Sequence, residues 1–263
     1  MFCIFIVDMN QRIWALLASS FKTILLPGLT VTIPLTIISF SFALVIATIT
    51  AIVQVKKINI LKQLARFYIW IIRGTPLLVQ LFVVFYGLPS LGIILDPFPA
   101  AVIVFSINEG AYAAEIIRAA IEAVDKGQTE AGVCLGLSYV QTMRYIVLPQ
   151  AFKIAFPSLS NSLIAMVKDT SLAANITVCE MFMKTQQIVA RTYEALALYL
   201  LVGFIYLIFC TVLTKLQSWG EKKLSKACFK FFNAFCNANL SASFKNLVSV
   251  LILRLVSILL QLE

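Results

Sequence analysis

The chain contains no histidine in 263 residues. That removes the commonest general base and the commonest metal ligand together. Charge is scarce as well: Asp, Glu, Lys and Arg make up 13% of the residues, against about 25% in a soluble domain. The six cysteines, Cys3, Cys134, Cys179, Cys210, Cys228 and Cys236, form no C-x-x-C pair, and most fall in or beside apolar segments. Neither a zinc site nor a disulfide framework is expected from them. A phosphate-cradling loop, G-x-x-x-x-G-K-[ST], is missing too. The nearest spacing, Gly127 to Gly132, is followed by Val133 and Cys134, with no lysine and no hydroxyl, which excludes ATP binding by that device. An intramembrane enzyme would need a nucleophile–base pair or metal ligands that this inventory does not supply. No metal and no cofactor is expected.

What the chain has is apolar surface. It is 61% hydrophobic with a mean hydropathy of +0.96, so its solvent is a bilayer. A spanning helix needs about 20 mostly apolar residues. Residues 23–55 carry no charge, which places a first span near 29–53, with Pro27 and Pro34 bending its start. Further spans are expected near 66–88, 99–121, 152–170 and 195–214. The third contains Glu109, Glu115 and Arg118, and the fourth contains Pro157. The opening MFCIFIV is too short for the apolar region of a signal peptide and has no cleavage-like pattern after it, so it is expected to stay on the protein.

The net charge of +9 has a membrane explanation that needs no nucleic acid, because basic residues mark cytoplasmic loops. Lys56, Lys57, Lys62 and Arg66 follow span one, whereas only Asp96 follows span two. Arg118, Lys126, Arg144 and Lys153 surround the segment after span three. Lys215, Lys222, Lys223, Lys226 and Lys230 follow span five. The alternation puts the N-terminus outside and the C-terminus inside. Residues 130–152, EAGVCLGLSYVQTMRYIVLPQAF, then face the cytoplasm.

That segment is too structured for a linker. Gln128 to Leu135 favour a short helix, and Gly136 is placed to end it in a left-handed conformation. Ser138 precedes Gln141 by three, the capping-box spacing, so a second helix starts there. Ala131, Gly132, Val133 and Cys134 are small, and Leu135 and Leu137 are apolar anchors. Such a surface suits a groove on a soluble partner. It equally suits an amphipathic helix pair lying on lipid headgroups.

Glu130-Ala131-Gly132, then Gly136, then Ile146-x-Leu148-Pro149 resembles the EAA motif of ABC importer permeases, Glu-Ala-Ala, three residues, Gly, nine residues, Ile-x-Leu-Pro. One position departs, Gly132 standing for the second alanine. RGTPLLVQLF (73–82), AYAAEIIRAAI (111–121) and VKDTSLA (167–173) are similar to stretches of the polar amino acid branch. GLPSLGIILDPFPA, DKGQTEAG and LPQAFKIAFPSLSNSLIAMVKDTSLAANI resemble permeases for L-cystine most closely. The resemblance covers about residues 25–220.

It implies an all-α polytopic membrane protein of the ABC type I importer fold, with about five transmembrane helices and a cytoplasmic coupling helix. The implied domain is 25–220, with an external or interfacial segment at 1–24 and an atypical cytoplasmic tail at 221–263. It implies multi-pass residence in the bacterial inner membrane and transport of a polar amino acid, L-cystine among the candidates. ATP is then hydrolysed by a separate ATPase subunit. An extracytoplasmic solute-binding protein, a second permease chain and membrane lipids are the other implied partners. Glu130, Ala131, Gly132, Gly136, Leu148 and Pro149 would couple to the ATPase. The competing reading is a secondary transporter or channel, although such folds usually need more spans or inverted repeats.

An amino acid is a zwitterion, and ionisable residues within spans are costly, hence functional candidates. Asn108 and Glu109 sit in the middle of span three. Lys168, Asp169 and Thr170 sit near the outer end of span four. Glu109 and Asp169 are candidate ammonium partners and Lys168 a candidate carboxylate partner. The alternatives are a snorkelling Lys168–Asp169 pair and a Glu109 that faces a neighbouring helix. Glu109 and Arg118 are about 13 Å apart along one helix, too far to pair within it. The family usually has a small or hydroxylated residue at the position of Glu109, so it either tunes substrate choice or marks a wet path. Glu115 and Arg118 read as structural, and the polar residues Ser160, Asn161 and Ser162 as helix–helix glue. Arg73-Gly74-Thr75-Pro76 is expected to break span two. Beyond about residue 225 the resemblance ends. LVSVLILRLVSILLQLE (247–263) reads as an interfacial helix or a reading-frame artefact, with a sixth span least favoured.

Overall fold

The computed structural model describes residues 2–55 and 59–239, with side chains described over 11–55 and 60–224. The first helix, α1 (Phe2–Pro27), passes through a π-helical turn, Gly28–Thr32, into α2 (Ile33–Val55). Within that run, Gln11–Val55 is 45 residues long and apolar enough to cross a membrane. At about 1.5 Å per residue it is roughly twice the thickness of the hydrocarbon layer. The expected first span is its second half, and residue 24 lies inside continuous helix.

The expected second span is a bent pair. Helix α3 (Asn59–Arg73) ends at Gly74, and α4 (Leu77–Phe82) leads into a π-helical turn, Val83–Gly87, and a 3-10 turn, Leu88–Leu91. The two arms, Ile60–Arg73 and Leu77–Leu91, meet at 101°. Helix α5 (Pro97–Glu122) follows. Two short helices, α6 (Lys126–Cys134) and α7 (Tyr139–Thr142), come next, and a third π-helical turn, Met143–Val147, leads into α8 (Leu148–Asp169). A 3-10 segment, Thr170–Ile176, leads to α9 (Met181–Thr192), and α10 (Ala195–Asn239) closes the described chain.

By length and composition three of the described helices can cross a membrane, and the bent pair makes a fourth. Helix α8, which holds the expected fourth span, is not among them. Its 22 residues are long enough. Ser158, Ser160, Asn161, Ser162, Lys168 and Asp169 make it polar, and it packs against α5 and α10. Helix α10 continues to Asn239, past the point where the resemblance stops. The apolar stretch 247–263 lies outside the described residues.

The three π-helical turns share a cause. Each ends two residues before a proline: Thr32 before Pro34, Gly87 before Pro89, Val147 before Pro149. A proline ring within a helix collides with the carbonyl four residues back and removes one donor. Widening the preceding turn clears that carbonyl. The Ile33 amide then donates to Gly28 O, and the Leu148 amide to Met143 O, each five residues back. The expected bend at Pro27 and Pro34 is absorbed this way, and the helix runs on.

The main interface joins α2 and α5. Ser39, Ala43, Ala47 and Ala51 recur every four residues on α2 and are fully buried. On α5, Ala111 and Ala114 cluster with Ala47, and Ala100 and Ala101 cluster with Leu35, all fully buried. Small residues let the two backbones approach, which is how helices associate where lipid gives no hydrophobic drive. Gly110 shows how close they come: a β-carbon there would lie 2.9 Å from Cγ2 of Ile46. Ser106 Oγ donates to Ser39 O across the same interface at 3.2 Å. A second cluster joins α1, α9 and α10 through Ile24, Met181, Val202 and Ile205.

Candidate functional site

Two regions of the fold hold the residues singled out in the sequence: the helix–turn–helix 125–147 and a cavity beside α5 and α8.

The helix–turn–helix is built as its sequence dictates. Asp125 caps α6, its carboxylate accepting from the Gly127 amide at 2.6 Å. At the far end Gly136 adopts φ +76°. The Leu137 amide donates to Gly132 O at 3.0 Å and the Gly136 amide to Val133 O at 2.9 Å, the paired bonds of a Schellman ending. Ser138 and Gln141 then exchange side-chain-to-backbone hydrogen bonds in a complete capping box. The two helices are locked face to face. Gly132 is the one α6 residue that is buried, and Thr142 is fully buried against it. Sequence reasoning put Gly132 on the outer surface with its neighbours, whereas it packs inside against Thr142. Glu130, Ala131, Cys134 and Gly136 are exposed at the outer side. Val133 is 63% exposed, Tyr139 59% and Val140 71%, so the pair presents an uncovered apolar face.

That unit is tied to α8. Gln150 Nε2 donates to Gln128 Oε1 at 3.2 Å. Val124, Val147 and Ala151 form a small core between the end of α5, the π-helical turn and α8. Leu148 is half exposed at the head of α8, and Pro149 is the second residue of that helix.

The cavity, about 1060 Å³, opens between the α3–α4 break, α5 and α8. Asn108, Glu109 and Tyr112 line it from α5. Ser158, Ser162, Ala165 and Asp169 line it from α8 at helical spacing. Glu109 Oε1 is buried and makes no hydrogen bond of its own among the described residues, while the Ser162 hydroxyl lies beside the carboxyl group. Arg73 stands at the break, its guanidinium 5.1 Å from the Tyr112 ring centroid, within cation–π range. Arg118 is occupied: it reaches Glu115 at 2.8 Å and Glu122 at 2.6 Å on its own helix, with Gln54 Nε2 donating to Glu115 at 3.3 Å.

A broken helix leaves its last four carbonyls unpaired, and here three of them find a donor. The Gly74 amide donates to Trp70 O at 3.0 Å, and Thr75 Oγ1 to Ile71 O at 2.9 Å. Gln80 Nε2 donates to Ile72 O at 2.8 Å. No β-carbon fits at Gly74, because it would sit 2.8 Å from Trp70 O.

Of the five residues singled out for substrate, the structure gathers Asn108, Glu109 and Asp169 around the cavity. Lys168 faces a separate pocket with Phe182, Tyr199 and Tyr206. Thr170 is fully buried, its hydroxyl donating to Val167 O at 2.7 Å. Sequence reasoning missed Gln80 and Ser158. The four-residue spacing Ser158, Ser162 was the available signal for the second. Nothing in the sequence alone pairs Gln80 with Asn108, 28 positions away.

Residues 43–226 match the family described as binding-protein-dependent transport system inner membrane component. The chain belongs to this family. It is a multi-pass transport subunit of the inner membrane and not an enzyme. The permease is similar to the L-cystine transport system permease protein TcyB of Bacillus subtilis (strain 168), 48% identical over 214 residues, covering 81% of this chain and 92% of that one. The L-cystine transport system permease protein TcyL of the same organism is 41% identical over 211 residues, covering 76% and 88%. Among solved structures, an amino acid ABC transporter crystallised with histidines superposes with a TM-score of 0.74 at 34% identity, covering 78% of this chain and 96% of that one. The all-α architecture is that of ABC type I importer permeases, and the chain is the membrane subunit of such an importer.

Proposed function

We propose that this permease moves a polar amino acid, with L-cystine the first candidate, through the cavity between the α3–α4 break, α5 and α8. Two permease chains, two ATPase chains and an extracytoplasmic solute-binding protein make the complete importer. The alternation of Lys and Arg along the chain supports an external N-terminus and an internal C-terminus. On that orientation α6 and α7 face the ATPase. Residues 25–220 form the permease domain, preceded by an external or interfacial segment and followed by a cytoplasmic tail.

One observation carries the reading. The exposed face of α6 is fixed to α7 through Gly132 and Thr142 and to α8 through Gln128 and Gln150. The middle and far end of α8 supply Ser158, Ser162 and Asp169 to the cavity wall. Displacement of α6 by an ATPase therefore moves that wall. Glu130, Ala131, Gly136 and Leu148 lie along the outer side of this unit, with Gly132 as its internal packing contact and Pro149 setting the widened turn. In the cavity, Glu109, Asp169 and Asn108 suit an ammonium group and Arg73 a carboxylate. Charged groups within a membrane domain mark a solute path.

The test is uptake of labelled L-cystine into proteoliposomes holding the permease with its ATPase and binding protein, with competition by unlabelled amino acids. ATP-dependent L-cystine uptake supports the whole reading. ATP-dependent uptake of other amino acids alone keeps the importer and discards cystine. Uptake indifferent to ATP overturns it in favour of a channel or secondary carrier.

A further inference from the structure

Gln80 closes the end of α3, and both ends of its carboxamide are committed. Nε2 donates to Ile72 O at 2.8 Å, to Thr75 Oγ1 at 2.8 Å and to Thr75 O at 3.2 Å. Oε1 accepts from Asn108 Nδ2 at 3.0 Å. Carbonyl oxygens only accept, so the end of Gln80 that faces Ile72 O and Thr75 O has to be the NH2. Its oxygen must then face α5, and Asn108 must present its own NH2 to meet it. The carbonyl oxygen of Asn108 is left over. Asn108 lines the cavity beside Glu109, whose buried Oε1 makes no hydrogen bond of its own among the described residues.

We propose that Gln80 is a positioning residue that turns Asn108 so that its carbonyl oxygen, not its NH2, faces the cavity, making this level of the cavity an acceptor site for a primary ammonium group. The proposal rests on the cavity being the amino-acid path. It ties two features in one side chain. The α3–α4 break supplies carbonyls that only a donor can satisfy, and satisfying them fixes the polarity of the amide relay out to α5. An amino acid then enters with its ammonium toward α5 and its carboxylate toward Arg73.

The test exploits proton-dependent mimicry. In Gln80→Glu an ionised carboxylate has the right shape but no donor for Ile72 O and Thr75. A protonated carboxyl regains one donor and one acceptor and restores the relay. In Asn108→Asp an ionised carboxylate faces the Gln80 oxygen, and protonation again restores a donor. The charged groups around the cavity are Arg73, Glu109, Glu115, Arg118 and Asp169, with the Tyr112 phenol beside them, so native permease is measured under identical conditions and each variant is expressed relative to it. The probe is a labelled mixture of L-amino acids that includes L-cystine, taken up by the reconstituted complex. Each variant is expected to transport about tenfold less than native near pH 8, recovering toward native near pH 5. Native-like uptake at the higher pH, or a ratio that stays flat, overturns the proposal. Native complex without ATP-dependent uptake of any amino acid at either pH overturns the cavity reading instead.

Discussion

Thr142 rests directly on Gly132: a β-carbon on the glycine would lie 2.7 Å from both Cγ2 and Oγ1 of the threonine. This contact fixes α6 against α7, and it explains the departure from the EAA pattern as an internal fit rather than a change of the outer face. Gly132→Val forces the two helices apart, at an overpacking cost of about 1–3 kcal/mol. The expected result is a permease that still inserts and assembles but moves several-fold fewer solute molecules per ATP. Gly132→Ala, smaller in its demand, loses less. The ratio of uptake to ATP hydrolysis in the reconstituted complex measures both.

Two glycines make an internal comparison. Gly136 holds φ +76° in the Schellman ending, where an L side chain costs about 1–2 kcal/mol. Gly203 lies in α10, and a β-carbon added there would meet no atom within 4 Å. Gly136→Ala is expected to lower the thermal midpoint of the purified permease. Gly203→Ala is expected to hold or raise it, since alanine is the better helix former by about 1 kcal/mol. Differential scanning fluorimetry in detergent decides between these signs.

Much of this was legible in the sequence, for identifiable reasons. The turn at Gly136 and the capping box at Ser138 are local signals written in adjacent residues, and they appear as read. The break at Arg73–Pro76 is local too. The helix from Phe2 does not read as continuous with span one in the sequence, because Pro27, Gly28 and Pro34 look like punctuation. A π-helical turn accommodates the second proline without ending the helix. Helix α8 is long enough to span but too polar to read as a span by hydropathy, and three of its polar residues, Ser158, Ser162 and Asp169, face the cavity. The inward turn of Gly132, the diversion of Lys168 to another pocket and the link from Gln80 to Asn108 depend on tertiary placement that no local pattern encodes.

Glu180 is a charged residue with no exposed surface, at the head of α9. Its carboxylate accepts from the Phe182 amide at 2.8 Å, the Met183 amide at 2.7 Å and the Tyr206 hydroxyl at 3.0 Å. It therefore caps α9 and ties it to α10 at once. Glu180→Ala removes the cap and the acceptor for the Tyr206 hydroxyl, a loss of about 2–4 kcal/mol. Glu180→Gln keeps one acceptor and loses less. Thermal unfolding should order the three proteins native, Gln variant, Ala variant.

Glu109 and Lys168 are predicted to part company in function. Glu109→Gln removes the buried carboxylate from the cavity and is expected to cut uptake by tenfold or more, on the scale of about 1.5–3 kcal/mol for a hydrogen bond to a charged group. Lys168→Ala alters a separate pocket and is expected to leave uptake within about twofold, the usual effect of changes outside such a site. Equal losses in the two variants would argue that Lys168 also reaches the solute.

The central claim is that α6 and α7 pass the work of ATP hydrolysis to the cavity wall. Its most direct test compares ATP-driven L-amino-acid uptake, L-cystine included, by native permease and by Glu130→Arg combined with Gly136→Pro. Both are reconstituted with ATPase and binding protein, with and without enclosed ATP. The account predicts ATP-dependent uptake for native permease and its loss in the double variant, with the variant still present in the membrane. ATP-dependent uptake that survives the double substitution would contradict it.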